Sequence, residues 1–154
     1  MQRARVRLRE RLTSHKPPWP ASVDGSAAER DLLKKYVEAT EAADFRAFES
    51  IIRADATFRM PPEPGTAVGR EAVFKLWIEG GFGSERFGRL RSVVTHANLQ
   101  PAVACYRCQT GESAWRALAL DVLRIEDGMI TEIVVFMPDN FPAFGLPMMM
   151  DAAQ

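Results

Sequence analysis

Long apolar runs are missing from this 154-residue sequence. One of the longest, Ala117 to Val122, is already broken by Asp121. No stretch approaches the roughly 20 apolar residues that a membrane-spanning helix needs, so no membrane partner is expected. The arginines at the N-terminus are followed by no apolar segment, which excludes a secretory signal there and leaves a cytoplasmic location as the expectation. Histidine is scarce, with only His15 and His96. No glycine-rich phosphate loop, Ser-His-Asp order or metal-ligand cluster is present, so neither metal nor cofactor is expected. The two cysteines form Cys105-Tyr-Arg-Cys108 without a second pair, in a segment that reads as strand. Residues three apart on a strand point to opposite faces, so they are expected to be reduced structural thiols.

What is present describes a globular chain. Hydrophobic residues make up 47% and charged residues 26%, which argues against disorder. The net charge of zero hides an uneven distribution. Six basic residues against Glu10 give the first 16 positions a charge of +5, and 14 basic against 19 acidic residues leave the rest at −5. Residues 1–12 read as a basic helix, with arginines two apart and therefore spread around its axis. Residues 13–25 hold three prolines and a glycine and read as a linker, with Trp19 as an anchor. Residues 26–154 read as the body.

Within the body, Ser26-Ala-Ala-Glu29 is a capping box, followed by Leu32, Leu33, Tyr36, Val37 and Thr40 at helical spacing. Asp44 caps a second helix with Phe45, Phe48 and Ile52 on one side. A strand from Ala56 to Met60 runs into a proline-rich turn. Glu71 to Glu79 is a third helix, with Val73, Phe74, Trp77 and Ile78 inward, and Gly80-Gly81 stops it. Strands are then expected at Arg89–Ala97, Pro101–Cys108, Ser113–Ile125 and Met129–Met137. Glu126-Asp127-Gly128 signals a hairpin between the last two. Helices grouped ahead of a strand meander imply an α+β fold whose antiparallel sheet has no parallel crossover. The tail, from Asp139 to Met150, reads as an irregular apolar lid or partner-facing segment.

This element order, with Ala43-Asp-Phe-Arg-Ala-Phe48 followed by Asp55-Ala-Thr-Phe-Arg59, resembles the SnoaL-like, nuclear transport factor 2-like superfamily over about residues 28–147. The resemblance implies a cone in which three helices cover a curved sheet around an apolar pocket, often dimerised through the sheet. Met60-Pro-Pro-Glu-Pro-Gly65, the Gln100-Pro-Ala102 step and Phe141-Pro-Ala-Phe-Gly-Leu-Pro147 are similar to the C-terminal domain of one group of extracytoplasmic-function sigma factors. Gln2-Arg-Ala-Arg-Val-Arg-Leu-Arg-Glu-Arg-Leu12 resembles the end of their last DNA-binding helix. That implies a domain cut from a larger protein, with polymerase and sigma modules as partners, or a free-standing descendant. DNA reading by this chain alone is not expected.

The sequence also resembles ketosteroid isomerase at two of three functional positions. Tyr36 matches its helical tyrosine and Asp121 its late aspartic acid, an oxyanion-hole-type pair. Met60 stands where the base belongs, and methionine cannot take a proton. Glu63, in the following turn, is the replacement candidate. The pair can be read without the family. A carboxylate among the same-face neighbours Ala117, Ala119, Leu123 and Ile125 must be paired or hold its proton. Either Asp121 pairs with an arginine such as Arg59 or Arg107, or it sits protonated beside the Tyr36 hydroxyl. Arg116 and Arg124 near Asp121 faintly resemble epoxide hydrolase sites, which need a second carboxylate. His96 reads as a surface residue. Phe58, Met60, Trp77, Phe82 and Phe136 are expected to line the pocket, for a small apolar ligand. The two leading functions are thus a non-catalytic ligand-binding regulatory domain and an isomerase- or cyclase-like enzyme acting on an apolar carbonyl compound; a plain dimerising scaffold is the third.

Overall fold

The computed structural model describes residues 25–153. The basic helix expected at 1–12, and all of the 13–25 linker but Gly25, including Trp19 and His15, lie outside the described residues. Helix α1 (Ala27–Ala42) starts where Ser26 Oγ accepts the Glu29 N–H at 3.1 Å. It ends on Ala43 in the left-handed region, φ 49°. Asp44 then caps α2 (Phe45–Ile51), its Oδ1 accepting the N–H groups of Arg46 and Ala47. A side-chain acceptor satisfies the amides a first turn leaves orphaned.

Strand β1 (Ile52–Arg59) begins directly at the end of α2. It starts four residues before the expected Ala56, and Ile52 belongs to the strand, not to the helical stripe. Arg70, first residue of α3 (Arg70–Glu79), explains how so abrupt a junction is held. Its Nη1 donates to the carbonyls of Glu49 and Ile52, both at 3.0 Å. Between β1 and α3 lies the two-residue strand β2 (Ala67–Val68). Val73 of α3 is fully buried, whereas Ile78, expected inward, is 57% exposed. Leu76, Trp77 and Gly80 face the interior cavity described below. A residue two positions from Leu76 is about 200° around the helix, which turns Ile78 outward.

The meander comprises β3 (Arg89–Ala97), β4 (Gln100–Cys108), β5 (Trp115–Glu126) and β6 (Met129–Phe136). Asp127 and Gly128, at φ 51° and 75°, form the two-residue turn between Glu126 and its partner Met129. Asn98 and Leu99 turn the same way at φ 51° and 64°. Both turns need two consecutive left-handed residues.

The sheet order is β2-β1-β6-β5-β4-β3. It is mixed, and the all-antiparallel expectation is corrected at one place: β1 runs parallel to β6, with Phe58 opposite Ile133. The chain leaves β1, crosses through α3 and starts the meander at the far edge. The last strand then returns beside the first in the same direction. Helices pack on one face of the sheet around Leu33, Tyr36, Phe48, Ile52 and Leu123. The other face carries Ala104, Tyr106, Leu120 and Val122. There the C-terminal segment lies down, as a 3-10 turn (Pro138–Phe144) and strand β7 (Met149–Met150) paired with β5. Phe141 is fully buried against Tyr106, whose hydroxyl donates to the Pro147 carbonyl at 2.9 Å. These elements make the α+β cone. Among the described residues, no helix is long and apolar enough to cross a membrane.

Candidate functional site

A cavity of about 360 Å³ lies between the helices and the sheet. Its walls are mostly aromatic: Phe48 from α2, Phe58 from β1, Trp77 from α3, and Phe82 and Phe87 from the loop that follows. Met60, Leu76, Leu90, Leu118 and Val135 complete the apolar lining. The rings meet edge to face, with Phe48 and Trp77 centroids 5.2 Å apart and Phe58 and Trp77 5.9 Å apart. Such pairs add to the area they bury and fix the wall's shape.

Polar groups gather on one side. Tyr36, 1% exposed, donates from its hydroxyl to Asp121 Oδ2 at 2.8 Å. The Cys105 thiol reaches the same oxygen at 3.6 Å, and Ser92 Oγ lies 3.8 Å from that sulfur. Thr40 also lines the cavity, but its hydroxyl donates to the Tyr36 carbonyl one turn back. Burial pushes the Asp121 pKa up to about 6, and the hydrogen bonds from Tyr36 and Cys105 act against that rise. Burial, and then the charge of Asp121, raise the Tyr36 phenol and the Cys105 thiol well above their ordinary values. Both therefore stay protonated donors, while Asp121 titrates near neutrality.

The arginines weighed as partners of Asp121 are elsewhere. Arg59 pairs with Glu132 at 3.4 Å, and Arg107 stacks over Phe87 at 5.5 Å. Arg116 pairs with Glu112 and Arg124 with Glu126, so neither forms an ion pair with Asp121. Among the described residues Asp121 has no cationic partner. Met60 does line the cavity; Glu63 is exposed in the turn and does not. His96 is exposed. No group of residues that would hold a metal occurs among the described residues.

Phe58, Met60, Trp77 and Phe82 lie on the cavity, but Phe136 does not: it lines a recess on the other face of the sheet with Phe144 and Val134. Asp121 pairs with Val135, so Val135 is the β6 residue that shares its face. Successive strand residues alternate sides, and Phe136 falls one step out. A second parity error concerns β5. Cys105 pairs with Ala119 and Tyr106 with Ala117, leaving Leu118 as the extra residue of a bulge. Leu118 and Ala119 consequently both face the cavity, while Ala117 packs on the opposite face. Sequence reasoning also missed Cys105 as a cavity residue. The four-residue step from Thr40 back to Tyr36 was the signal for Thr40, which the helical stripe already contained. Cys105 and Cys108 are both buried free thiols on opposite faces; Cys108 donates to the Glu112 carbonyl at 3.2 Å.

Comparison with known proteins follows the same lines. A SnoaL-like domain model matches residues 33–133. The ECF RNA polymerase sigma factor SigG of Mycobacterium tuberculosis is 32% identical over 127 residues, 82% of this chain and 34% of that protein. The chain thus spans about a third of the length of the curated relatives it matches. Among solved structures, a putative ketosteroid isomerase from Kribbella flavida aligns with a TM-score of 0.55 at 18% identity, over 72% of this chain and 78% of that one. A putative polyketide cyclase from Sinorhizobium meliloti gives 0.51 at 16% identity, over 68% and 93%. Bal32a, from a soil-derived mobile gene cassette, gives 0.56 at 15% identity, over 80% and 98%. At these identities the structural matches establish the fold.

Proposed function

The chain belongs to the SnoaL-like domain family, and from that premise we propose that it is a non-catalytic, ligand-binding regulatory domain of the sigma-factor type. One observation carries the reading. Among the described residues, Asp121 is the one carboxylate that lines the apolar cavity, its Oδ2 already held by Tyr36 and Cys105, and Met60 stands where a base would act. Such a cavity suits a small apolar molecule, and Met60 offers no base at the position where one would act. The relative named as a sigma factor supports a role in transcription, with polymerase or sigma modules as partners within a longer protein. A cytoplasmic location and a homodimer through the part of the sheet's outer face left open by residues 138–150 belong to the same proposal, as does the 26–154 boundary of the domain.

The test is uptake of N-phenyl-1-naphthylamine, a neutral dye that brightens in apolar surroundings. Wild type is expected to take it up, and Ala119→Phe, which fills the cavity, to lose it. Equal uptake by both proteins overturns the reading.

A second reading is favoured by the Tyr36–Asp121 contact itself. An isomerase- or cyclase-like enzyme would use the pair to stabilise an enolate oxygen, with Glu63 swinging in as base. Its signature is turnover of a β,γ-unsaturated ketone that Glu63→Gln abolishes. Absence of turnover by the wild-type chain removes it.

A further inference from the structure

The directions of the hydrogen bonds at Asp121 leave the cavity short of one positive charge. Tyr36 and Cys105 both donate to Oδ2. Oδ1 has no donor among the described residues, although a carboxylate accepts on both oxygens. Neither neighbour is cationic, and among the described residues Asp121 makes no ion pair, even with the nearby candidates Arg59, Arg107, Arg116 and Arg124. A carboxylate withdrawn from water without a counter-ion is costly, and a cation delivered to it recovers part of that cost. At pH 7.5 the group is mostly in its ionised form, since burial raises it only to about 6.

The rest of the cavity also suits a cation. Phe58, Trp77 and Phe82 line it and offer the ring body of such a cation aromatic surface to pack against. A neutral ketone finds the opposite environment. It needs donors aimed at its oxygen, and the hydroxyl of Tyr36 and the thiol of Cys105 are both directed at Oδ2.

We propose that the cavity takes a hydrophobic organic cation, an arylalkyl amine in its protonated form. Its ammonium meets Asp121 Oδ1 and its ring body lies among Phe58, Trp77 and Phe82. The volume of about 360 Å³ accommodates a two-ring body. This inference rests on the ligand-binding reading above and adds the chemical class of the ligand.

The experiment uses the full chain at pH 7.5, with N-phenyl-1-naphthylamine as reporter. Three probes of one shape compete for it: 1-naphthylmethylammonium, the neutral 1-naphthylmethanol and the anionic 1-naphthylacetate. The ammonium is expected to displace the dye at a concentration at least about tenfold below the alcohol, with the carboxylate weakest. In Asp121→Asn, titrated directly by calorimetry, the ammonium and alcohol should come within about twofold of each other. Parity of the ammonium and the alcohol in wild type, or the alcohol or carboxylate binding first, overturns the inference. So does an ammonium preference that survives Asp121→Asn. If that variant does not fold, the wild-type order of the three probes decides. Failure of wild type to take up the dye overturns the ligand-binding reading itself, whereas uptake without the ammonium preference overturns this inference alone.

Discussion

The Tyr36 hydroxyl sits 2.8 Å from Asp121 Oδ2, joining α1 to the middle of β5 across 85 positions of chain. It is a buried bond to an ionisable group, so its contribution depends on the charge of that group. Hydrogen bonds to charged partners contribute roughly 1.5–3 kcal/mol. Tyr36→Phe should therefore destabilise the protein by about 2 kcal/mol at pH 7.5. At pH 5, where Asp121 is mostly protonated, the loss should be smaller. Urea unfolding at both pH values measures it; a loss that grows on acidification contradicts this account of the bond.

Asp121 itself gives a pH dependence of defined sign. Its folded pKa, about 6, lies above its ordinary 3.8. A raised acid binds its proton more tightly in the folded state, so its stabilising contribution is complete below about pH 4 and is lost as pH rises through 6. Over that window the loss is on the order of 3 kcal/mol. Asp121→Asn lacks this titration. Its stability relative to wild type should thus improve steadily from pH 4 to pH 6.5 in denaturant titrations, then level off.

The thiols should be silent in the folded protein. Cys105 and Cys108 are 4% and 1% exposed, and burial holds the Cys105 thiol far from ionisation. The thiolate is the reactive form. An aromatic disulfide reagent at pH 8 is expected to find essentially no fast thiol in the native chain and both after guanidinium unfolding. A rapid native reaction would show that the sheet opens at β4.

Phe48 joins Tyr36, Trp77 and Phe82 through ring contacts at 5.2 to 6.2 Å. It is 1% exposed. Phe48→Ala should cost about 3–5 kcal/mol and enlarge the cavity. Thermal unfolding reads the loss, and faster exchange of bound dye reads the enlargement.

Gly88 precedes β3 at φ 90°, and a Cβ there would meet the Cys108 carbonyl oxygen at 2.8 Å. Gly88→Ala combines an unfavourable backbone region with a clash against another strand. A loss of about 2 kcal/mol or more is expected in chemical unfolding. A near-neutral outcome would mean that the β3–β4 end adjusts freely.

Local signals carried most of the element order. Ser26, Asp44 and the Asp127-Gly128 turn act through atoms within a few residues, so a linear reading finds them. Tyr36 and Asp121 emerged from spacing and resemblance, and the structure brings them into contact. What the sequence did not disclose depends on distant pairing. The parallel neighbour of β1 is chosen by where the crossover lands. Ala117 falls on the face opposite Asp121 because the bulge at Leu118 reverses the alternation, and Phe136 does so because Asp121 pairs with Val135, one residue before it. The engagement of Arg59 with Glu132, away from Asp121, is also a matter of which strands adjoin.

The bulge at Leu118 does more than correct a residue count. It separates β5 into two lengths that keep independent phase. Upstream of it, Ala117 and Trp115 face the C-terminal segment; downstream, Ala119 and Asp121 look into the cavity while Leu120 and Val122 face that segment. The adjacent residues Leu118 and Ala119 therefore both line the chamber, and the seat of the tail resumes its alternation beyond them at Leu120 and Val122. A single strand thus serves a chamber on one face and a tail on the other, with one leucine setting the offset between them.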